Sequence, residues 1–209
     1  MAGMLITFEG VEGSGKTTLV GMVSDRLRAC DREIVATREP GGVAIAEQIR
    51  ALILDAKNAS MDPRTEALLF AAARRQHFVE KIKPALDRGA IVLCDRFVDS
   101  SLAYQGIARG IGAQRILEIN QFATDCRMPD LTFYLDIEPE KGLARIAKNG
   151  RREVNRLDME KLEFHRKVRE GYLWVAKQFP NRIVVLDAEK TLDQLAEEVV
   201  SHAKNRITC

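Results

Sequence analysis

The sequence predicts an α/β protein built as a three-layer sandwich, in which helices cover both faces of a five-stranded parallel sheet. Two observations support this fold class. Five short apolar runs alternate with segments of helical periodicity along the 209 residues. Several of these runs are apolar throughout, which is typical of strands that are buried on both faces. Strands separated by helices form parallel sheets through right-handed crossovers.

The predicted strands and helices follow one another in a regular order. The strands cover residues 4–9, 33–37, 90–95, 131–136 and 182–187. The first helix follows the first strand, and its apolar residues lie at helical spacing: Leu19, Met22, Val23 and Leu27. Helices also fill the other intervals between strands.

Capping patterns mark the start of two helices. Asp62 and Pro63 predict an N-cap and a first-turn proline for a helix that ends before Gly89. Thr191 and Gln194 predict a capping box for the last helix. Four side chains of that helix are expected to face the interior: Leu192, Leu195, Val199 and Val200.

Length and charge limit the possible classes of protein. The length favours one domain, residues 1–209, and the polar stretch 148–156 is predicted to be a loop within it. A net charge of +2 gives no indication of a nucleic-acid or membrane surface. No apolar run approaches membrane-spanning length, and the chain begins without the apolar core of a signal peptide. We therefore expect a cytoplasmic protein with no nucleic-acid or membrane partner.

Cysteine and histidine usage indicates neither a disulfide framework nor a histidine metal site. The four cysteines form no C-x-x-C pair and are expected to be reduced thiols: Cys30, Cys94, Cys126 and Cys209. The three histidines lie far apart and are expected on exposed helix surfaces: His77, His165 and His202.

The most specific motif lies between the first strand and the first helix. Residues 10–17 match the phosphate-binding pattern G-x-x-x-x-G-K-S/T. In such a loop backbone N–H groups surround the phosphates, Lys16 reaches the outer phosphates, and the Thr17 hydroxyl ligates Mg²⁺. The predicted nucleotide-phosphate site consists of Gly10, Val11, Glu12, Gly13, Ser14, Gly15, Lys16, Thr17 and Thr18.

Two charged residues end the third strand at the predicted mouth of the site. Ligands of such sheets bind outside the carboxyl ends of the strands. Asp95 is placed to support Thr17 and Mg²⁺, and Arg96 is placed to bind phosphate through its guanidinium fork. A local surface ion pair between Asp95 and Arg96 is the alternative interpretation.

Further phrases are specific to one family. They include Arg-Glu-Pro-Gly-Gly at 38–42, Phe-Ala-Ala-Ala-Arg at 70–74, Ser-Ser-Leu-Ala-Tyr-Gln within 95–106, and Asn-Arg-Leu-Asp at 155–158. With these phrases the chain resembles bacterial thymidylate kinases over almost its full length. The resemblance implies the strand order 2-3-1-4-5 and phosphoryl transfer from ATP to dTMP with Mg²⁺, giving dTDP on the way to dTTP. It also implies a homodimer formed through helices beside the acceptor site.

The resemblance also implies roles for particular residues. Phe70 would stack on thymine, Arg74 would donate to a base carbonyl, and Tyr104 would press against the deoxyribose. Glu12 would accept from the 3′-OH or order Mg²⁺-bound water. The implied acceptor-binding residues are Glu12, Glu39, Pro40, Arg50, Phe70, Arg74, Arg96, Ser100, Ser101, Tyr104 and Gln105. Without the resemblance, Phe70 would be interpreted as a core residue and Arg74 as a solvated helix charge.

Catalysis is expected to need charge neutralisation and no protein base, since a nucleoside monophosphate is largely ionised near pH 7. Some members of the family carry an arginine in the phosphate loop, where this chain has Gly13. The bacterial type supplies the arginine from a lid, expected here at about 148–158. The candidate catalytic residues are Lys16, Arg96, Arg151, Arg152 and Arg156.

Three alternative functions stay open at the level of sequence. Another small nucleotide kinase would not be expected to combine the Phe70/Arg74 and Ser101/Gln105 pairs. A GTP-binding switch would need Asn-Lys-x-Asp and Asp-x-x-Gly motifs, and the sequence has neither. The intact Lys16, Thr17 and Asp95 argue against an inactive binding module.

Overall fold

The computed structural model describes residues 2–28, 31–149 and 156–206 of the chain. Five strands form one parallel sheet: Met4–Glu9 (β1), Ile34–Arg38 (β2), Ile91–Asp95 (β3), Leu131–Asp136 (β4) and Ile183–Asp187 (β5). Their order is β2-β3-β1-β4-β5. The predicted α/β class, the parallel sheet and the strand order are confirmed, and each strand begins and ends within one residue of its prediction.

Burial follows the position of each strand in the sheet. Every residue of the central strands β1 and β3 is buried, because both strands have a neighbour on each side and helices around them. The edge strand β5 is only partly buried. Phe8 and Phe133 pack together across β1 and β4, with ring centroids 5.7 Å apart. The carboxyl ends of β1 and β3 are therefore held rigidly, and the site is built on them.

Helices surround the sheet. They are Lys16–Leu27 (α1), Ala44–Leu54 (α2), Pro63–His77 (α3), Lys83–Asp87 (α4), Val98–Ser101 (α5), Ala113–Ala123 (α6), Pro139–Asn149 (α7), Leu162–Gln178 (α8) and Leu192–Lys204 (α9). Two π-helical segments, Phe78–Ile82 and Leu102–Ala108, continue α3 and α5. Within the described ranges, no helix is long and apolar enough to cross a membrane.

Both predicted helix starts are confirmed. The Asp62 carboxylate accepts hydrogen bonds from the backbone N–H groups of Arg64 and Thr65, at 2.8 and 3.1 Å. Helical structure then continues through the π-helical segment to Asp87, as the predicted end before Gly89 requires. Thr191 and Gln194 form the complete capping box of α9.

Leu192 does not face the interior, so that prediction is wrong. Its side chain is 37% exposed, whereas Leu195 and Val199 of the same helix are buried. Leu192 is the first residue of α9, and its side chain lies close to Gly15 of the phosphate loop. A first-turn side chain extends past the packed part of the helix, which is why the helical spacing misled the prediction.

The exposure predicted for two histidines is also wrong. His77 and His165 are 0% and 1% exposed, whereas His202 is exposed as predicted. His77 is buried because its ring nitrogens have partners: Nδ1 bonds the Glu39 carboxylate at 2.9 Å, and Nε2 bonds the Thr37 hydroxyl at 2.7 Å. Helical periodicity counts histidine as polar and carries no information about such partners.

Candidate active site

The phosphate loop connects β1 to α1 and depends on glycine backbone geometry. Gly13 and Gly15 have φ angles of 74° and 94°, a backbone region that residues other than glycine rarely adopt. The Lys16 ammonium donates to the carbonyls of Gly10 and Val11 and to the Ser14 hydroxyl, at 3.0, 2.9 and 3.1 Å. Burial, assisted by the nearby charge of Arg96, lowers the pKa of Lys16 to about 8. The loop therefore holds its lysine in place for an anion.

Thr17 and Asp95 meet at the carboxyl end of β3. The Thr17 hydroxyl donates to Oδ2 of Asp95 at 2.5 Å. Among the described residues, the buried Oδ1 of Asp95 has no hydrogen-bond partner. Mg²⁺ prefers oxygen ligands and commonly keeps several of its waters, so one hydroxyl with a nearby unpartnered carboxylate oxygen fits this ion. The metal roles of Thr17 and Asp95 stay predictions.

Two cavities open at the carboxyl end of the sheet. The phosphate-loop cavity, of about 710 Å³, is lined by residues 12–18 and by further cationic side chains: Arg38, Arg50, Arg96, Arg145, Lys148 and Lys190. The Phe70 cavity is lined by all eleven residues predicted to bind the acceptor, together with Leu54 and Leu157. Four residues line both cavities: Glu12, Glu39, Arg50 and Arg96.

Arg96 lies at this junction and contacts the phosphate loop. Its Nη2 donates to Oε2 of Glu12 at 2.8 Å, and its Nη1 donates to the Gly10 carbonyl at 3.1 Å. The Tyr104 hydroxyl donates to the other oxygen of Glu12 at 3.0 Å. Arg96 thus forms its ion pair with Glu12 across the junction, and the alternative of a local pair with Asp95 is not what the structure shows.

Arg74 is fixed deep in the Phe70 cavity and is only 2% exposed. Its Nε donates to Glu39 at 2.7 Å, and its Nη2 donates to the Phe97 carbonyl at 2.9 Å. Its Nη1 donates to the Ser101 hydroxyl at 2.8 Å and also to Oδ1 of Asn120. A guanidinium has five N–H groups, so these four contacts leave one N–H, on Nη2. Arg74 is therefore a fixed donor and not the solvated charge of the alternative interpretation.

Phe70 is half-buried and lines the cavity, so it is not the core residue of the alternative interpretation. It lies one helical turn before Arg74 on the same face of α3. An aromatic ring partly open to a cavity can offer its face to a planar base.

Glu39 and His77 form a buried network behind Arg74. Burial raises the pKa of Glu39, but the charge of Arg74 and the contacts with His77 outweigh this effect, and the net pKa lies below its ordinary value. Glu39 therefore stays ionised. His77 was missed by sequence reasoning, although it follows Arg74 on the same helix by three residues and lies on the same face.

Glu9 forms a second buried network, which supports the Arg96 segment. Its carboxylate accepts from the backbone N–H of Phe97 at 2.7 Å, from the Ser100 hydroxyl at 2.5 Å and from the Tyr172 hydroxyl at 3.2 Å. Burial, with the nearby charge of Asp99, raises the pKa of Glu9 to about 7. Sequence reasoning gave Glu9 no role; the available signal was a carboxylate at the end of a largely apolar predicted strand.

Of the three predicted lid arginines, Arg156 lies within the residues that the structure describes. Arg151 and Arg152 lie outside them. Arg156 is 5% exposed and lines neither cavity. Its Nη2 donates to Glu66 at 2.5 Å, and its Nε donates to the Ile53 carbonyl at 2.8 Å. Arg156 therefore connects the end of the lid stretch to α2 and α3.

Helix α7, which leads into the lid stretch, touches the phosphate loop backbone to backbone. A Cβ added at Gly13 would lie 2.1 Å from the carbonyl oxygen of Gly142, and one added at Gly142 would lie 2.3 Å from that of Glu12. Position 13 therefore has no room for the arginine that other members of the family carry in this loop.

A parallel sheet of this order, with a phosphate loop after β1 and a second cavity meeting it at shared residues, defines a P-loop nucleoside monophosphate kinase. The family described as "Thymidylate kinase" matches residues 8–199. The chain belongs to the thymidylate kinase family. It phosphorylates dTMP to dTDP with ATP, on the way to dTTP.

Individual relatives agree with this assignment. The chain is similar to the thymidylate kinase of Bacillus cereus strain Q1, with 55% identity over 99% of this chain and 100% of that protein. It is 56% identical to the thymidylate kinase of Bacillus mycoides strain KBAB4, with the same coverage. The crystal structure of thymidylate kinase from Ehrlichia chaffeensis superposes with a TM-score of 0.79 at 34% identity, covering 97% of this chain and 100% of that one.

Proposed function

We propose that the phosphate-loop cavity holds ATP, that the Phe70 cavity holds dTMP, and that their phosphates meet at Glu12, Arg50 and Arg96. The observation that carries this proposal is that the same residues line both cavities. Two ligands bound in adjoining cavities with a common wall are held close enough for direct transfer. Arg50 and Arg96 then clamp the acceptor phosphate, since guanidinium forks match phosphate geometry.

The transfer needs no protein base. The acceptor phosphate has a second pKa near 6 and is largely ionised at pH 7, so its oxygen attacks without losing a proton to the enzyme. The contribution of the protein is alignment and neutralisation of charge on the transferring group. Lys16 and the backbone N–H groups of the phosphate loop supply this positive charge on the donor side. Arg96 supplies it on the acceptor side.

Thr17 and Asp95 are the residues proposed to hold Mg²⁺. When bound to the donor phosphates, Mg²⁺ would neutralise part of their charge and orient the transferring group. The Thr17 hydroxyl would be a direct ligand, and Asp95 would hold that hydroxyl and accept from metal-bound water. The unpartnered Oδ1 of Asp95 supports this assignment.

The base and the sugar are proposed to be selected by separate groups. Phe70 stacks on the pyrimidine, and the remaining N–H of Arg74 donates to a base carbonyl. Ser101 and Gln105 complete the polar contacts. Tyr104 is buried, and its hydroxyl donates to Glu12. Its ring is proposed to leave no room for a ribose 2′-OH. Deoxynucleotides are therefore preferred.

The lid is proposed to supply Arg151 or Arg152 to the transferring phosphoryl group. The burial of Arg156 against Glu66 supports a different task for that residue, which is to anchor the end of the lid. The lid lies within a single domain spanning residues 1–209. The cytoplasmic location and the absence of nucleic-acid partners stay predictions of the sequence.

A homodimer is also proposed. Leu68 of α3 and Phe122 of α6 are 57% and 87% exposed, although both are large and apolar. Between these helices lies a groove of about 250 Å³, lined by Ala67, Leu68, Ile111 and Ile119 with Arg64 and Arg115 at its sides. An exposed apolar surface of this kind is typical of an interface between subunits.

The acceptor assignment is tested by a coupled assay of ADP release with Mg·ATP and dTMP, dUMP, dCMP, dAMP, GMP or thymidine. We expect dTMP to be the best acceptor, dUMP a weaker one and GMP a poor one. Phe70→Ala should raise the KM for dTMP at least tenfold, because a stacked aromatic contact is worth about 1–3 kcal/mol per base. An unchanged KM would mean that Phe70 only packs in the core and does not stack on the base. A preference for dCMP or GMP would overturn the acceptor assignment.

A further inference from the structure

Glu66 lies behind the wall of the Phe70 cavity and contacts a residue that forms it. It precedes Phe70 by one turn of α3 and is 0% exposed. Its Oε1 accepts from Nε2 of Gln105 at 2.9 Å and from Nε of Arg109 at 3.3 Å. Its Oε2 accepts from Nη2 of Arg109 at 3.1 Å and from Arg156 at 2.5 Å. Of these three partners, only Gln105 lines the cavity.

The two arginines keep Glu66 ionised. Burial raises the pKa of Glu66, but hydrogen bonds from Arg109 and Gln105 and the charge of Arg109 outweigh it, and the net pKa lies below its ordinary value. An ionised carboxylate has no hydrogen to donate. It can therefore hold a neighbouring carboxamide only by the NH₂ end.

This restriction decides which end of Gln105 is left for a ligand. The Nε2 of Gln105 is bound to Glu66, and Oε1 receives no hydrogen bond from any residue that the structure describes. Gln105 is 1% exposed, so its amide cannot turn freely in solvent. At the cavity wall Gln105 thus presents a hydrogen-bond acceptor.

We propose that Glu66 is a positioning residue that fixes the orientation of the Gln105 amide and thereby sets the pyrimidine specificity of the cavity. The inference rests on the proposed binding of the acceptor base in this cavity. Thymine and uracil carry a donor at N3–H and an acceptor at O4. Cytosine carries the reverse, an acceptor at N3 and a donor at N4. An acceptor on Gln105 beside a donor on Arg74 matches thymine and uracil and opposes cytosine.

Arg74 cannot accommodate cytosine by becoming a hydrogen-bond acceptor. A guanidinium only donates, and contacts with Glu39, Ser101 and Asn120 hold it in place. The polarity that the cavity wall presents beside Arg74 therefore depends on the orientation of the Gln105 amide, which could be reversed. Glu66 is the residue that prevents its reversal.

The test compares kcat/KM for dTMP and dCMP in wild type and in Glu66→Gln. The new amide has nearly the same shape but can present either NH₂ or oxygen to Gln105, so Gln105 can turn. We expect the preference for dTMP over dCMP to fall by about tenfold or more, the effect of one buried polar group left unpaired. An unchanged ratio, with both activities lowered alike, would mean that Glu66 is only structural and would overturn the inference.

Two matched variants distinguish the effect of the Gln105 amide orientation from the effect of losing ion pairs to Glu66. Glu66→Asp keeps an acceptor-only carboxylate and should retain the dTMP preference. Arg109→Gln removes a cationic partner of Glu66 but leaves its contact with Gln105, so the ratio should again stay as in wild type. A relaxed ratio in either variant would contradict the proposal.

A measurement on the wild-type protein covers the case in which Glu66→Gln does not fold. The side-chain N–H of Gln105 that donates to Glu66 should exchange slowly with solvent in NMR spectra of the free enzyme and of the dTMP complex, because both groups are buried. Fast exchange in both states would overturn the proposal. An unchanged KM for dTMP in Phe70→Ala would instead refute the proposed binding of the base in this cavity, whatever the behaviour of Gln105.

Discussion

Lys16 combines a buried position with a charge that the reaction needs. Its pKa is lowered to about 8, mainly by burial and next by the charge of Arg96. Bound triphosphate brings negative charge close to the ammonium and raises its pKa again. Above pH 8, ATP binding must therefore take up a proton.

This uptake has a measurable consequence. As the pH rises from 8 towards the pKa of the complex, the affinity for ATP should fall by up to about tenfold per pH unit. Calorimetry at pH 9 in two buffers of different ionisation enthalpy should detect uptake approaching one proton. Lys16→Arg stays charged at this pH and should show none. Equal heats in the two buffers for the wild type would show that Lys16 is already protonated.

At this scale, sequence reasoning assigns a role most directly where a residue type has one chemical use in its motif. Lys16 and Thr17 received their predicted roles because the phosphate loop fixes both the spacing and the chemistry, and both line the phosphate-loop cavity. Sequence reasoning missed the roles of His77 and Glu9, which support the site by holding other side chains. Their partners are distant in sequence, and no local pattern records a contact between residues 9 and 172 or between 37 and 77.

Among the helices, α7 contributes to the site through its contact with the phosphate loop. Gly142→Ala would place a Cβ 2.3 Å from the Glu12 carbonyl oxygen, so the helix must move away from the loop. We expect the free energy of unfolding to fall by about 1–3 kcal/mol, as for other overpacked sites, and kcat to fall because the lid stretch begins at the end of this helix.

Gly21 provides the matched control for this variant. It also lies within a helix, α1, but a Cβ there meets nothing within 4 Å. Gly21→Ala should stabilise the protein by about 0.5–1 kcal/mol and leave kcat unchanged. Denaturant unfolding and steady-state kinetics measure both variants. Wild-type behaviour of Gly142→Ala would show that the contact is easily relaxed.

The lid proposal assigns one role to Arg151 and Arg152 and a different role to Arg156, which is paired with Glu66. Replacing Arg151 and Arg152 together by Ala should lower kcat by roughly a thousandfold or more while the KM for dTMP changes little, the pattern of an arginine finger. Arg156→Ala should instead lower the free energy of unfolding by about 3 kcal/mol, because it breaks a buried ion pair with Glu66. The proposal fails if Arg156→Ala shows the larger loss in kcat and normal stability.

Element positions were predicted well because apolar runs, capping residues and glycines are local signals. Leu192 was misplaced because spacing alone does not distinguish the first turn of a helix from its packed middle. The π-helical segments were not predicted, since the apolar spacing of 63–88 suits one uninterrupted helix. The sheet order came from the resemblance to a family. No pattern within the strands reports which strands are neighbours.

At the scale of the whole molecule, the interface proposed for the homodimer is close to the base-binding cavity. Helix α6 carries both the exposed Phe122 and the buried Asn120, whose side chain accepts a hydrogen bond from Arg74. Its neighbour α3 carries Leu68 on the outside and Arg74 on the inside. The same two helices thus form the exposed apolar surface and hold the donor for the base.

Separating the subunits should therefore affect the acceptor more than the donor. Leu68→Glu and Phe122→Glu place charges in the proposed interface, and light scattering at micromolar concentration should show a dimer for the wild type and a monomer for the double variant. The KM for dTMP should rise several-fold, because α6 loses its support and holds Arg74 less firmly, while the affinity for ATP changes little. Trp174→Glu, on an exposed part of α8, is the control and should remain dimeric with normal kinetics. A monomeric wild type would end the proposal, and a monomeric variant with an unchanged KM would show that the interface does not support the base-binding cavity.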